Sequence, residues 1–227
     1  MKIVSAIILI ILLLGGQSGF SQGFINLNFE AAKIIPAATG APDIETTNAL
    51  PGWTVLLGGS PQAQITYNAP AVGSTWVCLI TTNMGLGSWS PASGNYSVLL
   101  QGGTYPFQPL TATISQTGLV PVSAVSLLFA AQPGPGALDV SFGGQSLNFS
   151  AISTGPNYTL FGADISAFAG QTGALGFSAL LDIDQSNNWN IDNVQFSSSP
   201  VPEPSVLALS GLGGLLLACR RWKHTSQ

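Results

Sequence analysis

Histidine is nearly missing from this 227-residue chain; the single one, His224, stands at its C-terminal end. Upstream of it, neither a Ser-His-Asp or Cys-His relay nor a His-containing zinc site can be assembled. Charge is scarce too, at 6% of residues, and of the five Lys and Arg only Lys33 falls between residues 22 and 198. That stretch carries Glu30, Asp43, Glu45, Asp139, Asp164, Asp182, Asp184 and Asp192, so one cation faces eight acids and its net charge is about −7. Such a surface argues against nucleic acid as a partner, because phosphate binding needs clustered Lys and Arg; cations suit it better. Of the two cysteines only Cys78 lies in the same stretch, which leaves no intramolecular disulfide there. Cys78 sits in the apolar run Thr75-Trp76-Val77-Cys78-Leu79-Ile80, where a buried, inert thiol is expected. No phosphate loop is present either. The piece Gly211-Leu212-Gly213-Gly214 lies inside an apolar run, where small residues favour close helix approach.

What is present is concentrated first at the two ends. Met1-Lys2, the apolar Ile3 to Leu14 and the small or polar Gly15 to Ser21 have the layout of a secretory signal peptide, too short for a membrane span. Cleavage is expected after Ser21, with Gly19 and Ser21 at the small-residue positions. At the other end, Val201-Pro202-Glu203-Pro204 precedes fifteen uncharged residues, Ser205 to Cys219, and then Arg220-Arg221-Trp222-Lys223-His224. The prolines beside Glu203 keep the chain extended, so a helix starts only at about Pro204 or Ser205. Fifteen residues at about 1.5 Å each reach roughly 22 Å, short of a ~30 Å hydrocarbon core. That length suits a thin membrane or a transient processing intermediate. The basic cluster is expected to hold this end in the cytoplasm, which places the intervening residues outside.

A Val-Pro-Glu-Pro box, a Leu/Gly/Ala-rich helix and a basic terminus, in that order, resemble the PEP-CTERM sorting signal of Gram-negative bacteria, also called the ice-binding-protein C-terminal domain. The resemblance covers about Pro200 to His224. It implies Sec export followed by recognition by an exosortase, a membrane cysteine transpeptidase-like enzyme. Processing would fall at the box formed by Val201, Pro202, Glu203 and Pro204, with Arg220 and Arg221 as the basic flank. The protein would be the substrate of that enzyme, and the older name is no evidence of ice binding. An ordinary tail anchor is the alternative. The expected division is a signal peptide over 1–21, an exported domain over 22–198 and a sorting signal over 199–227.

Between the ends, short apolar runs alternate with turn residues. Strands are expected over 24–29, 52–57, 63–67, 75–80, 95–101 and 112–116, with 33–51 as a loop. Val122 to Ala131 reads as a strand buried on both faces. Further strands are expected over 138–142, 146–149, 174–183 and 190–196, with Gly-Gly pairs at 58, 102 and 143 marking turns or bulges. Asp164 is expected to cap one helical turn. About a dozen strands with no amphipathic helix predict an all-β fold, a two-sheet antiparallel jelly-roll sandwich.

Asn28-Phe29-Glu30, Leu50-Pro51-Gly52-Trp53 and Ile191-Asp192-Asn193-Val194-Gln195-Phe196 resemble the galactose-binding-like jelly rolls, which include carbohydrate-binding modules and many exosortase-sorted proteins. Asn95 to Gly102 and Asp164 to Thr172 are similar to the latter group. The resemblance implies a structural calcium held by Glu30 and Asp192 with backbone carbonyls and water. The alternative is that Glu30 caps a turn and Asp192 orders the Asn193 loop. Asp182 and Asp184 share one strand face and could flank a metal or a glycosidic bond, although the same spacing describes a solvated strand edge. Trp89 and Trp189 sit in loop-like contexts and could stack on sugar rings, whereas Trp53 and Trp76 read as core. No catalytic residue is assigned. The expected function is that of an exported, non-enzymatic envelope or matrix protein sorted and cleaved at its C-terminus; the alternative is a lectin-like surface module for an exopolysaccharide or a plant or algal glycan.

Overall fold

The computed structural model describes residues 23–71, 73–82, 89–104, 109–181 and 186–202. The signal-peptide residues, Asp182, Asp184, Glu203, Pro204, the apolar run 205–219, Arg220 and Arg221 lie outside the described residues. No helix among the described residues is long and apolar enough to cross a membrane.

Among the described residues fifteen strands build the domain. In chain order they are β1 (Asp43–Glu45), β2 (Thr54–Leu57), β3 (Ser60–Pro61), β4 (Gln64–Tyr67), β5 (Trp76–Thr81), β6 (Tyr96–Thr104), β7 (Pro109–Leu110) and β8 (Ala112–Leu119). There follow β9 (Ser126–Pro133), β10 (Leu138–Phe142), β11 (Gln145–Ser146), β12 (Phe149–Thr154), β13 (Thr159–Asp164), β14 (Thr172–Ala179) and β15 (Asn187–Ser197). The larger sheet runs β1-β4-β5-β6-β15-β9-β13-β12, with β7 on β6; the smaller runs β11-β10-β14-β8-β2-β3. Among the described residues all strand pairings are antiparallel except β4 with β5. The expected all-β sandwich is therefore the observed one.

Alternation along the strands makes the core. In β8 the buried residues fall at every second position, so one face of Ala112, Ile114 and Gln116 turns inward. Between the sheets, Phe129 of β9 lies 5.3 Å from Phe177 of β14, 5.4 Å from Phe149 and 5.4 Å from Phe161, all between ring centroids. Trp53 continues the cluster at 6.3 Å from Phe177, with its indole N–H donating to Asn26 O at 3.1 Å. Trp76 is half-buried and packs against the same core, so both tryptophans read as core are there.

Several expectations over strands fail for local reasons. Residues 24–29 form turns, because Asn26 and Phe29 take positive φ (50° and 59°) and the Asn26 side chain bridges Ala31 N–H and Pro51 O. The alternation there arises from a wound segment lying against the sandwich. The run from Val122 contains no strand before Ser126; Val122 is 82% exposed and Ala124 N–H closes a turn on Pro121 O. Gly102 and Gly103 sit inside β6 and make no turn. Gly102 is needed because a side chain there would strike the backbone carbonyls of Leu180 and Ala179. The region 33–51 holds β1 and one turn of helix, α1 (Thr46–Ala49). The Asp164 turn is a 3-10 helix over Ser166–Phe168, and Asp164 Oδ1 accepts from Ser166 N–H at 2.8 Å.

Candidate functional site

Cys78, Ile80 and Leu99 point away from the main core and form a second small cluster on the opposite face of the larger sheet, with Trp89 packed against it. Their strand neighbours Val77, Leu79, Val98 and Leu100 face the core. Burial pushes the Cys78 thiol pKa up against weaker hydrogen-bond effects, which fits the inert thiol expected. On this outer face a strap of chain, Trp89 to Asn95, is held down by a row of amides and two carboxylates.

Each anchor of the strap can be named. Gln132 Oε1 accepts from Ser90 N–H (3.1 Å) and from Asn190 Nδ2 (2.9 Å), and Asn190 Nδ2 also donates to Ser90 O (2.9 Å). Asn157 Nδ2 donates to Ser90 Oγ and Pro91 O at 2.8 and 2.9 Å. Further on, Asp192 Oδ2 accepts from Ala92 N–H (2.8 Å) and Ser93 N–H (3.0 Å), while Oδ1 takes Asn193 N–H (2.7 Å). Glu30 Oε1 accepts from Asn95 N–H (2.7 Å) and Tyr96 N–H (2.9 Å), and Oε2 takes Asn95 Nδ2 (3.0 Å). Gly94, at φ +67°, lies against the Glu30 carboxylate so closely that a side chain would collide with it.

Glu30 and Asp192 are thus brought to one loop, and the oxygens of each accept its N–H groups. Asp192 is 1% exposed. Its pKa is pushed up to about 6 by burial, opposed by the three amides, with the charge of Glu30 adding to the rise. Calcium takes six to eight oxygen ligands. Among the described residues Oε1 and Oδ2 each accept two hydrogen bonds and Oε2 and Oδ1 one each, which leaves one lone pair per carboxylate. Among the described residues no group of three or more His, Cys, Asp or Glu gathers to hold a metal. The side chains present fit a hydrogen-bonded clamp, and they do not make a calcium cage by themselves.

Beside the strap a groove of about 480 Å³ is lined by Trp89, Gln132, Asn157 and Tyr158 with the 154–156 turn. A second groove of about 520 Å³ continues past Tyr158 to Asn28, Asn193 and Gln195. The β15 register shift between Asp192 and Gln195, with Asn193 at φ 47°, is the bulge that opens this side. Tyr158 lies over Gly155, where a side chain would run into its ring. The two grooves share Tyr158 and have no charged residue in their lining.

Trp189 is not part of this surface. Only 7% exposed, it lies 5.8 Å from Phe161 and 6.3 Å from Phe149 by ring centroids, and its N–H reaches Gly136 O at 3.4 Å. β15 directs residues 189 and 191 inward and 190 and 192 outward, so an indole that reads as loop-borne from its Asn-rich flank is core. Tyr158, Asn157 and Gln132, the other members of the groove, were not singled out by sequence because nothing local marks them; the pairing of β13 with β9 brings them beside Trp89.

No family model matches the chain, and no curated protein matches it. Solved structures do. One is the enzymatically active domain of bacteriophage CBA120 tailspike protein 4, with 14% identity over 65% of this chain and a TM-score of 0.37; the chain spans 19% of that domain. Another is the K2 cleaved adhesin domain of Lys-gingipain, with 16% identity, 70% of this chain, 99% of that one and a TM-score of 0.37. A third is the family 11 carbohydrate-binding module from Clostridium thermocellum in complex with a β-1,3-1,4-mixed-linked tetrasaccharide, with 9% identity, 71% of this chain, 97% of that one and a TM-score of 0.35.

Proposed function

We propose that this protein is an exported, non-enzymatic surface module that binds a glycan along the outer face of its larger sheet. The observation that carries the reading is the pair of grooves that share Tyr158, lined by Trp89 and Tyr158 together with Gln132, Asn157, Asn28 and Asn193. Sugar rings offer an apolar C–H face and a rim of hydroxyls; aromatic side chains take the first and amides the second. The uncharged lining favours a neutral polysaccharide. Trp89 packs on Cys78, Ile80 and Leu99 and its neighbour Ser90 is anchored to Gln132, so little ordering remains for binding to supply.

The test is affinity electrophoresis of the mature chain in gels containing neutral polysaccharides. Retardation by at least one is expected. Trp89→Ala and Tyr158→Ala should each weaken it about 30-fold, near 2 kcal/mol for a buried aromatic anchor. Trp189→Phe should leave affinity unchanged in whatever fraction folds. A chain that no polysaccharide retards, or a Trp89→Ala variant that migrates like the wild type, overturns the proposal.

Delivery rests on the two ends. The signal-like start and the Pro-Glu-Pro tail support Sec export, membrane engagement through 205–219 and processing by an exosortase. Intact mass of the protein from its cells should show loss of both ends. A full-length species in the cytosol, with Met1 and Gln227 in place, would sink this part and leave glycan binding untouched.

A further inference from the structure

The C-terminal exit of the domain does not hang free. After β15, Val125 N–H donates to Ser197 O at 2.7 Å and Ser126 Oγ donates to Ser199 O at 2.7 Å, which keeps the chain on the sheet past the last strand. Val201 then lies over Gly162 of β13: a Cβ at Gly162 would stand 2.9 Å from Val201 Cγ2, inside any real contact distance. Pro200, Val201 and Pro202 form one wall of a groove of about 230 Å³, with Val125, Ser150 and Gly162 opposite. Val201 is half-buried, while Pro200 and Pro202 on either side are exposed.

We infer that the outer face of β12 and β13 is a docking surface for the chain's own residues 199–202, and that Gly162 is the socket for Val201. Three features point to this occupant. The segment is seated there, Ser126 of β9 holds Ser199 O by a hydrogen bond, and the socket is open because position 162 has no side chain. Prolines at 200 and 202 fix φ and lower the entropy of keeping the segment extended. The sheet thus shields the backbone of residues 199–202. A peptidase must bind its substrate as an extended free strand, so hydrolysis upstream of Pro202 first requires undocking. The inference does not depend on glycan binding.

The experiment is limited proteolysis of the full-length chain in detergent with proteinase K, read by intact mass, together with the C-terminus of the protein recovered from cells. Wild-type fragments should end at Pro202 or later. Two variants attack the contact from opposite sides: Gly162→Val fills the socket, and Val201→Asp removes the plug without touching the sheet. Each should let trimming run back to about Ser197–Ser199 and speed it roughly tenfold, because cleavage follows the population of the open form. The circular dichroism and melting of Val201→Asp should remain those of the wild type, which separates undocking from misfolding. Wild-type trimming to Ser199 or earlier at the rate of Val201→Asp would overturn the inference, as would a cellular C-terminus upstream of Pro202.

Discussion

Replacing Phe129 by alanine is expected to cost about 3–5 kcal/mol, the range for removing a fully buried phenyl ring. Phe129 is 0% exposed and touches Phe149 and Phe161 on its own sheet and Phe177 on the facing one. The ring is thus the link between the layers, and the cavity left would be walled by three other aromatic rings that cannot collapse into it without breaking their own contacts. The loss comprises the transfer term and a cavity term. Phe129→Leu refills most of the volume and should cost about 1–2 kcal/mol. Urea denaturation followed by intrinsic tryptophan fluorescence measures both. Because the outer face is built on the back of β9 and β13, the folded fraction of Phe129→Ala should keep Trp89 and its groove. A loss below 1 kcal/mol would show that the sheets are not held together through this cluster.

The sandwich was readable because its signals are short-range. Alternation in 112–116 and 138–142, the Gly143-Gly144 turn and the two-sided burial of β9 beyond Ser126 each depend on a few adjacent residues. Where the reading failed, a longer-range effect decided. Phe24 to Phe29 has the alternation of a strand, but Gln116 reaches across from β8 to pin Ile25 by accepting from its N–H and donating to its carbonyl, and the segment winds as turns. Short edge strands such as β3, β7 and β11 carry two residues each and leave no periodic trace.

The site was legible in its charged parts and hidden in its neutral ones. In a chain with so few acids, Glu30 and Asp192 stand out, and the structure does bring them to one strap. Trp89 was recognisable as a ring in a Gly- and Ser-rich context, yet the same logic misplaced Trp189, because inward or outward direction on β15 is set by register with β6 and β9. Asn157, Tyr158 and Gln132 join the grooves only through pairing of β13 with β9, which no single stretch of sequence encodes.

Asp192→Ala should release the strap and lower stability by about 2–3 kcal/mol at neutral pH. Three backbone N–H groups, those of Ala92, Ser93 and Asn193, lose their acceptor, at roughly 1–3 kcal/mol for each that water cannot reach. Against this stands relief from burying a charge. The Asp192 carboxyl has its pKa raised from 3.8 to about 6 in the fold. A raised carboxyl pKa means that the folded state binds the proton more tightly than the unfolded chain. Its contribution is therefore fully present below about pH 4 and is lost as pH rises through 6, a span worth roughly 3 kcal/mol. Two consequences follow for urea midpoints measured between pH 4 and 7.5. Wild-type stability should fall as pH rises from 4.5 to 6.5, and that slope should vanish in Asp192→Ala, so the penalty of the substitution grows toward acid pH. The exposed Asp164, whose pKa is lowered chiefly by its hydrogen bonds to Ser166, works in the opposite sense, losing its contribution only as pH falls below about 4. Repeating the neutral series with calcium or with a chelator separates clamp from cage. Because the carboxylates already accept six hydrogen bonds from N–H donors, the two midpoints should coincide. A calcium-dependent rise that disappears in Asp192→Ala would assign the remaining lone pairs of Glu30 and Asp192 to a metal and would depress the Asp192 pKa, erasing the acid-side gain. Glycan binding offers the last discrimination: loosening the strap moves Trp89 without altering its chemistry, so Asp192→Ala should weaken retention less than Trp89→Ala does.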